Sequence, residues 1–391
     1  MGALQRVAIL SVSAGTGHMR VAEALAAAVK EENPGAQVFV LDTFRYASPF
    51  LEKLVLGTYM EMLKFTPAVY GYLYRGAEGR RPLAGLVKQE FNRILNRVAA
   101  PRLAEFLQDV RPQVIACTHP FPVGILDQLK KRGLLHVPVV AAVTDFTVHP
   151  FWIFPRVEAY LVAGEDLKEP FRQFGYPVER VHATGIPIDP AFARPVDVRR
   201  LQRELGLDPA LPAVLVTGGG LGMGPLAEVV RRLMEGPASC QLLVLTGQNE
   251  QLRHRLSRLA AGAACPVKVL GFARNVHELM SVAQLMVGKA GGISCAEALS
   301  KGLPVVIVSP LPGQEERNAA YLCRAGAAVL VGRVEMVGQE VAALLGDKER
   351  YRRMAQASAG LGRPRAAREA VALMRLLVEE SSVRWEGRAG G

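Results

Sequence analysis

The chain has 391 residues, half of them hydrophobic, and a formal net charge of +11. The length exceeds one average domain and suits two, and the apolar share excludes an intrinsically disordered chain. The basic excess favours anionic partners such as phosphates or acidic lipid surfaces, while five cysteines, an odd count with no CxxC pair, argue against a disulfide framework or a zinc site.

The first apolar run, Val7–Val12, is far too short for a signal core or a spanning helix, and no later stretch is long enough, so membrane contact is expected to be peripheral. Helix-like Arg20–Lys30 follows, then a strand at Val38–Leu41. Residues Phe44 to Val98 stand apart: Leu51, Leu54, Val55, Tyr59, Met62 and Leu63 form one helical stripe, and Leu83, Leu86, Val87, Phe91, Ile94, Leu95 and Val98 another. Between them lie Tyr70, Tyr72, Tyr74, Arg75, Arg80 and Arg81. Rings at headgroup level beside arginines that pair with phosphates suit a lipid interface, whereas the stripes read as core faces; no nucleic-acid reader motif is present.

A helix at Arg102–Asp109 and strands at Val114–Cys117, Val137–Val143 and Ala159–Val162 continue the alternation expected of a parallel α/β sheet. Prolines 187, 190, 195, 209 and 212 then punctuate a polar stretch with one short helix, Asp197–Leu205, read as an interdomain linker. A second strand series begins after it: Val214–Thr217, Leu242–Thr246, Val267–Leu270, Leu285–Val287, Val305–Val308 and Ala328–Val331. The tail 365–380 is helical, with Ala366, Ala370, Leu373, Leu376 and Leu377 as its stripe, placed to pack back on the first half. The expected domains are 1–188, 189–365 and a C-terminal helix and tail over 366–391.

Three glycine-rich turns follow strands. In SVSAGTGH, Gly15 and Gly17 allow tight turns, but the third glycine of the dinucleotide fingerprint and the GK[ST] of a phosphate loop are both missing. His18 opens the next helix, whose dipole is expected to keep the imidazole neutral and able to accept a proton. In TGGGLGMGP, five glycines between Thr217 and Pro225 suit close approach to a phosphate. In KAGGISCAEAL, a helix expected from about Ser294 carries Glu297 one turn past Gly291 and Gly292, and a polar loop, Pro312 to Asn318, follows the next strand. Helix N–H groups suit a diphosphate, a carboxylate one turn in suits a ribose diol, and amide and acid side chains suit sugar hydroxyls. No DxD pair exists in the chain, so N–H groups and helix dipoles would stabilise the departing charge, with no metal or cofactor expected.

The chain resembles the monogalactosyldiacylglycerol synthase and processive diacylglycerol glucosyltransferase group of family 28 glycosyltransferases. SAGTGH, TDFTVHPFW, TGIPIDPAF, KAGGISCAEAL and PLPGQEERNA carry the likeness in order along nearly the whole length. The resemblance implies an α/β chain with the glycosyltransferase B fold, two Rossmann-like domains facing across a cleft. It implies an inverting, metal-independent transfer of a hexose from UDP-glucose or UDP-galactose to diacylglycerol, on an anionic membrane surface at the inner face of the cell membrane. By motif position, Glu297 would bind the ribose and Phe272 would lie against the uracil. Gly219, Gly220, Gly291, Gly292 and Ser294 would surround the diphosphate, and Gln314 and Glu315 would contact sugar hydroxyls with Asn318 nearby. His18 would be the general base, with Asp145 and His149 lining the acceptor pocket or orienting that base, and the loop from Tyr59 to Arg81 would meet the membrane. A UDP-sugar 2-epimerase and a polyprenyl-linked acceptor are the alternatives, together with a non-catalytic nucleotide-sugar sensor; the broken fingerprint speaks against a dehydrogenase.

Overall fold

The computed structural model describes residues 3–13, 16–47 and 99–389. The chain forms two compact units, Met1–Pro190 with Arg365–Gly391, and Ala191–Pro364.

The first unit runs β1 (Arg6–Ser11), α1 (Gly17–Glu32), β2 (Gln37–Asp42), α2 (Thr43–Ala47), a helix through 99–110 (α3), β3 (Val114–Cys117), α4 (Pro120–Lys131), β4 (Val139–Ala142), β5 (Ala159–Leu161), α5 (Glu169–Gln173) and β6 (Val181–His182). Its sheet has the order β2-β1-β3-β4-β5-β6 with parallel pairing throughout. The central strands are buried apart from Arg6 at the start of β1, because helices cover both faces of a parallel sheet. The edge strand β2 is only partly covered. In α1, Val21, Ala22, Leu25, Ala28 and Val29 fall on one face at helical spacing and are all buried. That helix stops at Asn33, whose side-chain carbonyl accepts the Leu4 amide at 3.1 Å.

The second unit runs α6 (Val198–Leu205), β7 (Ala213–Thr217), α7 (Leu226–Met234), β8 (Gln241–Leu245), α8 (Glu250–Ala260), β9 (Val267–Leu270), α9 (Val276–Val282), β10 (Leu285–Gly288), α10 (Gly292–Ser300), β11 (Val305–Val308), α11 (Gln314–Arg324), β12 (Ala328–Val331), α12 (Val337–Gly346) and α13 (Lys348–Leu361). Its parallel sheet has the order β12-β11-β10-β7-β8-β9, the doubly wound Rossmann pattern. The core beneath it joins Val214, Val216, Leu242, Val244, Leu285 and Val306 to Val230, Leu233 and Leu344 from the helices.

Strand order fixes where ligands sit. In each sheet the chain departs in opposite directions from two adjacent strands, β1 and β3 in the first, β7 and β10 in the second. The crevice beyond the carboxyl ends of such a pair is the favoured ligand position in an open α/β sheet.

Two local expectations are corrected. Residues Pro312 to Asn318 are not a loop: α11 begins at Gln314, so Gln314, Glu315 and Asn318 are helical. Gly313 turns the chain at φ 92°, and its amide donates to the Glu316 side chain at 3.0 Å, which closes the first turn. Likewise α10 starts at Gly292 rather than near Ser294.

The last helix, α14 (Ala366–Ala389), packs on α1 within the first unit. Its buried stripe is Ala366, Ala367, Ala370, Val371 and Met374; Leu376, expected on it, is exposed. Arg368 pairs with Glu31 at 3.1 Å and Arg375 with Glu32 at 2.7 Å, flanking the seam. Met374 is fully buried, so Met374→Ala should cost about 2–5 kcal/mol of unfolding free energy, read from the urea midpoint at constant slope. Among the described residues no helix is long and apolar enough to cross a membrane.

Candidate functional sites at the switch points

At the switch point of the first unit, the turn after β1 brings His18 to the start of α1, and the turn after β3 brings Thr118 and His119 beside it. The Nδ1 of His18 lies 2.8 Å from the Thr118 carbonyl oxygen. A carbonyl only accepts, so Nδ1 carries the hydrogen and the neutral ring keeps its lone pair on Nε2. The Thr144 hydroxyl, at the end of β4, lies 3.2 Å from the same Nδ1. Thr118 is itself fixed: its hydroxyl donates to Ser11 at 2.8 Å and its amide to the Leu10 carbonyl at 3.0 Å. Burial pushes the His18 pKa down to about 4, against a smaller opposing effect of the Thr118 hydrogen bond. The imidazole is therefore neutral at pH 7, and burial rather than the helix dipole is the main cause.

His119 meets His18 edge to face, with ring centroids 4.5 Å apart. Its Nδ1 accepts the Phe121 amide at 3.2 Å, capping α4, so its own hydrogen sits on Nε2. Burial, and then the neighbouring His18, hold His119 well below the usual imidazole range. Two neutral imidazoles thus stand together, one with Nε2 as an acceptor and the other with Nε2–H as a donor.

At the switch point of the second unit, the glycine turn after β7 and the Lys289–Gly291 turn after β10 lie side by side. Part of the glycine content serves packing rather than ligand approach. A Cβ on Gly222 would stand 2.2 Å from the Thr246 carbonyl oxygen, and one on Gly247 would stand 2.3 Å from the Gly220 oxygen. The turns after β7 and β8 are further stitched by the Gln248 amide on Gly220 at 2.9 Å. Gly291, by contrast, has nothing within 4 Å of a Cβ position, and it caps α10, whose first N–H groups lie beside it. An open glycine before a helix N-terminus leaves room and positive potential for a phosphate group. Glu297, in the second turn of α10, is only 4% exposed, a buried carboxylate and not a surface one.

The monogalactosyldiacylglycerol synthase family model matches residues 18–188, and the glycosyltransferase family 28 C-terminal domain matches 213–370. A processive diacylglycerol beta-glucosyltransferase of Bacillus cereus is 30% identical over 363 residues, covering 93% of this chain and 91% of that protein. The chain belongs to this family. MurG of Acinetobacter baumannii shares the fold, at a TM-score of 0.59 and 17% identity over 95% of this chain and 99% of that one. A UDP-N-acetylglucosamine 2-epimerase assigned in Listeria monocytogenes shares it too, at 0.57 and 16% over 97% and 98%. The two-unit α/β architecture is thus the glycosyltransferase B fold, and the fold alone does not separate transferases from epimerases.

The remaining family positions fall as follows. Asp145 follows Thr144 directly, and His149 is buried with its Nδ1 accepting the Phe151 amide at 3.2 Å. Gly219 turns at φ 74°, and Gly220 supplies the carbonyl that anchors the β8 turn. Phe272 lies beyond β9 and is half exposed. Gly292 and Ser294 are in the first turn of α10, and Gln314 opens α11. Asn318 is fully buried, and its amide donates to the Ala290 carbonyl at 3.0 Å, bracing the turn that carries Gly291. Glu315 is held by Lys289 at 2.7 Å and by the Leu311 amide at 2.8 Å. The membrane and acceptor positions Tyr59, Tyr70, Tyr72, Tyr74, Arg75, Arg80 and Arg81 lie outside the described residues, as does Gly15.

Sequence reasoning passed over Thr118, His119 and Thr144. One signal was available: the tripeptide His-Pro-Phe occurs twice, at His119–Phe121 and His149–Phe151, each just beyond a predicted strand. In both copies the histidine caps the turn that follows it and touches its phenylalanine ring, at 4.5 and 4.6 Å between centroids.

Proposed function

We propose that this protein transfers a hexose from a UDP-sugar to diacylglycerol at a membrane surface, with inversion, giving a β-glycosyl diacylglycerol. The observation that carries the reading is the neutral imidazole of His18, its hydrogen committed to Thr118 through Nδ1 and its lone pair left on Nε2. An alcohol needs a base at that moment, because its pKa lies far above 7. As the lipid hydroxyl oxygen bonds to the anomeric carbon, Nε2 takes the hydroxyl proton. The bond from that carbon to the β-phosphate oxygen breaks, and its electron pair leaves with UDP. Attack from the face opposite UDP inverts an α-linked donor to a β-product.

The second unit supplies the donor side: Gly219, Gly220, Gly291, Gly292 and Ser294 around the diphosphate, Glu297 at the ribose and Phe272 by the uracil. Gln314 and Glu315 then face the sugar hydroxyls. Asp145 and His149 border the acceptor. The likeness to diacylglycerol beta-glucosyltransferases over 93% of the chain supports the lipid acceptor, and the net charge of +11 supports an anionic surface.

The test uses labelled UDP-glucose and UDP-galactose in separate incubations with diacylglycerol vesicles. Label should pass into an organic-soluble product with one of the two sugars. An unlabelled lipid fraction, with interconversion of UDP-sugars in lipid-free buffer, would instead establish an isomerase.

A further inference from the structure

Lys289 is placed where a donor diphosphate and its leaving charge would be. It follows β10 at the switch point, and its Cγ and Cδ lie 3.8 and 3.7 Å from the position of a Cβ on Gly224. The side chain therefore runs beneath the glycine turn of β7, and its ammonium reaches across to Glu315 on the first turn of α11, 2.7 Å away. Both groups are largely withdrawn from water, with 16% and 13% of their side chains exposed. The other carboxylate oxygen of Glu315 accepts the Leu311 amide at 2.8 Å. That amide belongs to a loop held in an unusual shape, with Ser309 at φ 48° and Gly313 at φ 92°. A non-glycine residue at positive φ costs energy, and such strain collects at functional sites.

A largely buried ion pair adds little net stability, because desolvation offsets most of the attraction. Ammonium is also a compact charge that changes partners readily, and phosphate oxygens are strong partners for it. We infer that Lys289 is the cation that neutralises the donor diphosphate, and that Glu315 holds it in store until the donor arrives. The inference rests on the donor site proposed above. Binding draws the ammonium from Glu315 to the diphosphate and leaves the Glu315 carboxylate as an acceptor for a hexose hydroxyl. When the glycosidic bond breaks, the electron pair it leaves on the β-phosphate oxygen develops against the same ammonium. One event then reports both halves of the donor, the diphosphate to Lys289 and the sugar to Glu315.

Titration calorimetry with UDP and with uridine tests this on the full chain. Lys289→Met should weaken UDP at least about tenfold, the worth of one charge-assisted hydrogen bond, and leave uridine unchanged. Glu315→Gln should tighten UDP, because the lysine no longer has to leave a carboxylate, and a merely structural pair would not respond so. The double variant K289M/E315Q removes both charges together, keeps the fold neutral there, and should match K289M. UDP binding by K289M equal to the parent, or weaker UDP binding by E315Q, overturns the role of Lys289 while leaving the donor site standing. A parent protein that binds neither UDP nor uridine overturns the donor site and the inference with it.

Discussion

Replacing His18 by alanine is expected to lower kcat by about 10²–10⁴, the usual contribution of a positioned base, with UDP affinity unchanged. The separation follows from the fold. His18 belongs to the first unit and reaches Thr118 and Thr144, whereas the expected nucleotide contacts belong to the second. His18→Asn sharpens the test. Its amide can still donate toward the Thr118 carbonyl, yet it offers no basic lone pair, so it should lose as much turnover as alanine does. Recovery of turnover in the asparagine variant would make His18 a structural strut and not a base. The pH profile gives an independent reading. With the imidazole pushed down to about 4 by burial, the base is unprotonated at and above neutrality. Lowering the pH should leave kcat/KM unaffected until that value and then reduce it by about tenfold per unit. An acid limb near the ordinary histidine pKa would mean that the base is another group.

How much of this was legible in the sequence depends on which force set each feature. The central strands read directly, because a parallel sheet covered on both faces leaves continuous apolar runs such as Val114–Cys117 and Val305–Val308. The start of α11 did not: its first turn is Gln314, Glu315, Glu316 and Arg317, polar throughout, and a glycine stands at the cap where a serine or aspartate would have announced it. The stripe on α14 was misread for a different reason. Helical spacing admits two neighbouring registers, and only packing on α1 selects Val371 and Met374 over Leu376. At the site, His18 was legible from its place after a strand and a glycine turn. What was not legible is the neighbour 100 residues away: Thr118 meets His18 because β1 and β3 are adjacent in the sheet, and strand order is a tertiary fact. For the same reason the cause of neutrality, burial against β3 and β4, could not be read from the local helix start. Glycines carried a mixed message, since Gly222 and Gly247 answer to backbone packing and Gly291 to open space.

Glu297→Ala is expected to weaken UDP binding by about 10²–10⁴ while leaving kcat at saturating donor unchanged. A carboxylate only 4% exposed in the interior of α10 is held in place by its surroundings, and a hydroxyl that reaches it meets little competition from water. A ribose diol offers two O–H donors at the spacing of two carboxylate oxygens, and hydrogen bonds to a charged group contribute roughly 1.5–3 kcal/mol each. Losing them costs ground state and transition state alike, because the ribose is far from the bond being broken, so KM should rise and kcat should not fall. Glu297→Gln keeps the shape and one good acceptor and should lose less. The decisive comparison uses 2′-deoxy-UDP. The parent should bind it more weakly than UDP, and the alanine variant should bind the two equally, so that the double-mutant cycle isolates one hydroxyl against one carboxylate. If the alanine variant weakens both nucleotides by the same factor, the carboxylate acts by bracing the glycine turn at Gly291 and the ribose is held elsewhere.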